Sequence, residues 1–176
     1  MKKFLLLFLL LPTALFAQNK GEELLDWSAS RKLSWSDYKS KPNAESDAAA
    51  STTTYLGINY NISSRSFSYQ IESRFSKTRS WGLHKTDYIL SHEQGHFDIA
   101  EVYARMLHQK MSAYKFNHKT YQKDLKKIYE EVTNGKDEMQ NKYDRETNHS
   151  IKKEEQASWL KKIAEMLEDY ADWADY

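Results

Sequence analysis

The apolar residues of this chain change period near residue 86, and that switch constrains the fold more than any other feature. Before it, Leu56, Ile58, Tyr60 and Ile62 alternate with polar or small residues. After Ser63-Ser64-Arg65 the alternation resumes as Phe67, Tyr69, Ile71 and Phe75. A period of two on both sides of a short polar break predicts an antiparallel hairpin with one buried face per strand. From about Thr86 the spacing becomes three and four, through Ile89, Leu90, Phe97, Ala100, Tyr103, Leu107 and Met111. That pattern predicts a long helix with one broad apolar face, N-capped by Thr86 or Asp87. Tyr121, Leu125, Ile128, Tyr129 and Val132 open a second helix, which Asn134-Gly135 either ends or only weakens before Met139 and Tyr143. Trp159, Leu160, Ile163, Met166, Leu167 and Tyr170 mark a last one. Strands first and helices after predict an α+β domain, a small antiparallel sheet followed by packed helices. The stretch from Gln18 to Ser51 is mostly polar, with isolated Trp27, Leu33, Trp35 and Tyr38. It reads as irregular structure that pins aromatics onto the core.

The N-terminus is set apart from that domain. Lys2 and Lys3 precede an apolar run from Phe4 to Leu11, and Pro12-Thr13-Ala14 leads to Ala17-Gln18. This is the layout of a secretory signal peptide, with an apolar run too short to span a bilayer. The division is 1–17 as signal peptide and 18–176 as a single domain, exported to the periplasm or the medium, with no stable membrane insertion after cleavage. Losing Lys2 and Lys3 lowers the formal charge of +1 by two, so the domain is near neutral and gives no electrostatic reason to expect nucleic acid. The chain has no cysteine, which excludes disulfides and thiolate metal ligands. A transition-metal site in it must use His, Asp and Glu.

Such a site is written in Ser91-His92-Glu93-Gln94-Gly95-His96. His92 and His96 are four apart on a predicted helix, so one zinc ion can be met by both imidazoles from the same face. This is the HExxH spacing. Glu93 is turned about 100° from His92, off the ligand face but able to reach a metal-bound water as general base. Two solvent-facing histidines beside a surface acid are the structural alternative. Gly95 costs about 1 kcal/mol inside a helix relative to alanine, so it marks a close approach at that turn or carries no role. Asp98 and Glu101 fall off the ligand face, so a third ligand must come from further along. An antiparallel return of the chain brings the late 130s and 140s level with the metal. That favours Asp144, Glu146 or His149 over His118, with Glu130 and Glu131 still open. Asp144 also suits a carboxylate that orients a ligand imidazole, and Tyr143 reads as core.

The segment His92-Glu-Gln-Gly-His96-Phe-Asp-Ile-Ala-Glu101, with the later Tyr143-Asp144-Arg-Glu-Thr147-Asn-His149, resembles a bacterial family of predicted secreted zinc-dependent proteases, catalogued as domain of unknown function 922. Leu33-Ser-Trp35-Ser-Asp37-Tyr38 and Ser80-Trp81 are similar to that family too, so the resemblance runs from about Trp27 to Trp159. It implies a zincin-like metallopeptidase and singles out His149 as the third zinc ligand beside His92 and His96. The family usually follows that histidine with glycine, where this chain has Ser150.

The function expected is peptide-bond hydrolysis of a peptide or protein substrate by a Zn2+-activated water, with Glu93 as base and proton donor. One rival is a zinc amidase acting on cell-wall material. Another is a non-enzymatic exported module that docks a partner through its aromatic C-terminal helix.

Overall fold

The computed structural model describes residues 21–63 and 66–176. The proposed signal segment, 1–17, lies outside the described residues. Strand β1 is Leu24–Asp26, β2 is Ala50–Ser51, β3 is Thr54–Ile62, β4 is Phe67–Ser76 and β5 is Trp81–Gly82. Helix α1 is Asp87–Ala113, α2 is Tyr121–Thr147 and α3 is Lys153–Asp169. The architecture is α+β, with small antiparallel sheets preceding three helices.

β3 and β4 form the expected hairpin, in a register that sets Ile58 opposite Ile71 and Tyr60 opposite Tyr69. Apolar residues therefore share one face, and Leu56 and Ile71 enter the main core from it. Two features depart from the sequence reading of 18–51 as irregular. β1 adds a third strand on the far side of β4, pairing Leu25 with Phe75, and β2 pairs with β5. Each is only two or three residues long and is held by partners dozens of residues away, so no local period announces it.

α1 is the central element, touching the sheet, α2 and α3. Thr86 caps it, its hydroxyl accepting from the Ile89 amide at 3.2 Å. Ile99, Val102, Ala104 and Leu107 are fully buried, and each large one contributes about 1.5–3 kcal/mol by leaving water. No helix among the described residues is long and apolar enough to cross a membrane.

α2 runs antiparallel to α1 and continues through Asn134-Gly135 without a break. The reason is packing. A Cβ on Gly135 would lie 2.9 Å from Cε1 of Tyr103, and one on Gly95 would lie 2.6 Å from the hydroxyl of Tyr143. Each helix thus offers a glycine to a tyrosine of the other, and both contacts obey one antiparallel register. The cost of a helical glycine is offset by letting the two axes approach. The same register carries the metal-ligand candidates of α1 to those of α2.

α2 ends in three successive non-glycine residues with positive φ, Asn148 at 50°, His149 at 51° and Ser150 at 73°. The Tyr88 hydroxyl, donating to the Ser150 carbonyl at 2.7 Å, ties this turn to the first turn of α1.

Candidate metal centre

His92 and His96 lie in α1 as expected, one turn apart, and their rings meet edge to face with centroids 4.9 Å apart. Asp144 reaches them from α2. Its Oδ1 is 3.1 Å from Nε2 of His92 and 3.0 Å from Nε2 of His96. One donor atom from each of the three residues lies within 4.8 Å of the other two. Ligands about 2.0–2.1 Å from a tetrahedral zinc stand about 3.3 Å apart, so these separations are close to those of a metal cage.

Gln140 decides the form that His96 takes. Its Nε2 donates to the His96 carbonyl at 2.8 Å, so its Oε1 is the atom that faces Nδ1 of His96 in a short hydrogen bond. Nδ1 must then carry a proton, and in a neutral ring the Nε2 lone pair points at the Asp144 carboxylate. Two lone pairs at 3.0 Å repel, so a cation belongs between them, either a second proton or a metal ion. The electrostatics agree. Burial opposes the charge of Asp144, yet hydrogen bonds from His92 and His96 hold its carboxyl well below the ordinary range. Burial likewise opposes a charged His96, and Asp144 lifts it above the usual imidazole value. The two imidazoles and the carboxylate are a donor set that could hold a metal ion, and Gln140 supplies the outer hydrogen bond such ligands require.

Glu93 is buried beside this group, and its Oε2 has no hydrogen-bond partner among the described residues. His92 Nδ1 shares that condition. A buried carboxylate oxygen without a donor costs stability unless something else occupies its lone pairs. Burial first, and then the charge of Glu93, push the phenols of Tyr38 and Tyr143 up, so both stay neutral. Tyr143 stacks on His92 at 4.5 Å and is fully buried, as a core residue should be.

The group opens into a cleft of about 470 Å³, walled on one side by residues 48–54 and on the other by Lys136, Gln140, Asp144 and His149. A larger cavity of about 910 Å³ lies between β3 and α2 and includes none of these residues. His149 stands at the cleft with its side chain 67% exposed, Nδ1 being 3.6 Å from Asp144 Oδ1. It is therefore beside the tight group and not within it. The other candidates lie elsewhere. Glu146 accepts from the Trp159 indole at 2.9 Å, Glu131 pairs with Lys110, Glu130 pairs with Lys126, and His118 packs on Phe116. Gln140 was not singled out from the sequence, although its place four residues before Asp144 on one helix was available as a signal.

Comparison with known proteins gives one family. Residues 17–150 match the family described as bacterial protein of unknown function (DUF922). No curated protein and no solved structure matches the chain.

Proposed function

We infer a function from the premise that the chain belongs to the DUF922 family of bacterial proteins, whose description assigns no activity, so that the site must supply one. The reading is a zincin-like metal-dependent hydrolase, exported by the 1–17 segment, that cleaves peptide bonds. The observation that carries it is the convergence of His92, His96 and Asp144 beside a buried carboxylate, Glu93, with an unsatisfied oxygen.

His92 and His96 would hold the ion through Nε2 and Asp144 through Oδ1, with His149 next to Asp144 at the mouth. A zinc-type ion there would supply Lewis acidity and bring the pKa of a water toward about 7. Glu93 is placed to act as general base toward an attacking water and would then hand the proton to the leaving nitrogen. Its buried position keeps bulk water from competing for that proton. Gln140 fixes the His96 tautomer, and Tyr143 holds both imidazoles, stacking on His92 and meeting His96 edge to face.

The test is elemental analysis of the purified protein, together with turnover of peptide and peptidoglycan substrates by the native chain and Glu93→Gln. About one equivalent of metal in both proteins, with turnover in the native chain alone, supports the reading. Metal-free protein, or undiminished turnover in Glu93→Gln, sinks it. Removing the carboxylate of Asp144 and the imidazole of His149 separately, and measuring metal stoichiometry, assigns the third ligand.

A further inference from the structure

α2 presents Lys136, Gln140 and Asp144 at successive four-residue steps, and all three line the metal cleft. Gln140 and Asp144 serve the histidines. Lys136 serves nothing in that group. Among the described residues lining this cleft it is the one lysine or arginine, and its side chain is only 14% exposed. Among the described residues its one ion-pair partner is the neighbouring Asp137, at 3.2 Å, whose side chain is 65% exposed. A pair with so exposed a carboxylate contributes little and exchanges readily. A largely sheltered lysine side chain beside a cleft, paired with an acid that water already solvates, is placed to bind an anion entering the cleft.

Resting on the hydrolase reading above, we propose that Lys136 selects substrates bearing a carboxylate a few residues from the bond cleaved at His92, His96 and Asp144. Eight residues of helix separate Lys136 from Asp144, a rise of about 12 Å. Extended peptide covers about 3.3–3.6 Å per residue, and the four-carbon lysine stem can reach back along the cleft. The carboxylate thus falls about two to four residues from the cleaved bond. An acidic side chain and a chain-terminal carboxylate offer the same chemistry. The wall at 48–54 is uncharged, so Lys136 on the opposite side is the fixed cation by which the cleft can discriminate, among lining acids that include Glu93, Asp137 and Asp144.

The experiment uses the metal-loaded full chain carrying Glu93→Gln, which is designed to bind peptides without turning them over. Fluorescent decapeptides with Glu or Gln at one scanned position are titrated, and shorter ones ending there as free acid or amide separate the two carboxylate sources. Charged peptides are expected to bind about fivefold to tenfold tighter, and less so at high salt. Adding Lys136→Met, which keeps an apolar stem, should erase the difference. Adding Asp137→Asn should widen it about twofold by releasing the ammonium. Equal binding of the two peptide types, or a preference that survives Lys136→Met, overturns the proposal. If the native chain cleaves both types equally, Lys136 selection falls and the hydrolase stands. If it cleaves neither while the binding preference persists, the hydrolase falls and anion recognition stands. No binding of any peptide overturns both.

Discussion

α1 carries two buried polar groups on different faces, and they are finished differently. Away from the cleft, Gln94, Asp98, Glu101 and Arg105 are fully engaged. Gln94 accepts from the Leu33 amide and donates to Asp98, which also takes the Trp27 indole and Lys32. Glu101 binds Arg105 at 2.9 Å and the Tyr176 hydroxyl at 2.5 Å, and Arg105 donates to the Leu167 carbonyl. Toward the cleft, Glu93 and His92 each keep an atom with no partner among the described residues, while three basic or acidic groups crowd together. Folding alone explains the first group, since each member ties a distant segment to the helix. It does not explain the second, where two imidazoles and a carboxylate that could hold a metal ion lie beside buried atoms with no partner among the described residues.

The widest gap between the two faces should appear on removing one carboxylate from each. Glu93→Gln is expected to lower kcat by about 10²–10⁴-fold while leaving the melting temperature and metal content in place. Glu101→Gln should do the reverse, costing about 1.5–3 kcal/mol of stability because Arg105 stays buried with a weaker partner, and sparing metal content. Calorimetry and metal analysis on both variants decide it. A Glu93→Gln protein that unfolds like Glu101→Gln would erase the distinction.

Asp37 extends the engaged class to the N-terminal segment. It accepts from Arg31, from Lys77 and from both the amide and hydroxyl of Ser34. Burial works against its charge, but these donors win and keep its carboxyl below the ordinary value. A depressed folded pKa stabilises fully above the unfolded value near 3.9 and loses that contribution as pH falls through the folded one. Asp37→Asn should therefore cost about 1.5–3 kcal/mol at neutral pH and flatten the acid limb of the stability curve below pH ~4. Denaturant melts at several pH values check it, and an unchanged acid limb would remove Asp37 from this class.

Much of this was legible because it is periodic. The hairpin, the three helices and the pairing of His92 with His96 follow from steps of two, three and four residues. What was not legible depends on contacts between distant segments. β1 exists because Leu24–Asp26 finds the free edge of β4, and α2 survives Gly135 because Tyr103 fills the space there. Antiparallel return brings Asp144, one of the open candidates, beside His92 and His96. Choosing among Asp144, Glu146 and His149 needed the rotation of α2, which the 3.6-residue period alone does not fix across a loop. Glu146 falls on the α3 side of that helix, against Trp159.

The two glycine–tyrosine contacts allow a smaller, matched test. Gly95→Ala gains about 1 kcal/mol of helix propensity but drives a methyl into the buried Tyr143 hydroxyl, so a net loss of about 1–2 kcal/mol is expected. Gly135→Ala meets Tyr103 and should lose a similar amount. Only Gly95→Ala displaces the ring stacked on His92, so only it should weaken metal binding, by about tenfold. Equal effects on metal affinity would mean that the helices respond as one rigid pair.

The smallest effect belongs to the turn that carries His149. Three non-glycine residues in the left-handed region each cost energy, asparagine least and serine more. Ser150→Gly removes the Cβ conflict at φ 73° but gives the unfolded chain more freedom, so the net gain should be under about 1 kcal/mol. That corresponds to a rise of a few degrees at most in melting temperature. The backbone hydrogen bonds of the turn, from the His149 amide to Asp144 and from Lys152 to Thr147, do not involve the Ser150 side chain. His149 should therefore keep its place and metal content should not move. A Ser150→Gly protein that is less stable would show the hydroxyl or Cβ to be packed usefully at this buried position. The turn would then belong with the engaged face of α1, and His149 would be held by packing against the cost of its own backbone.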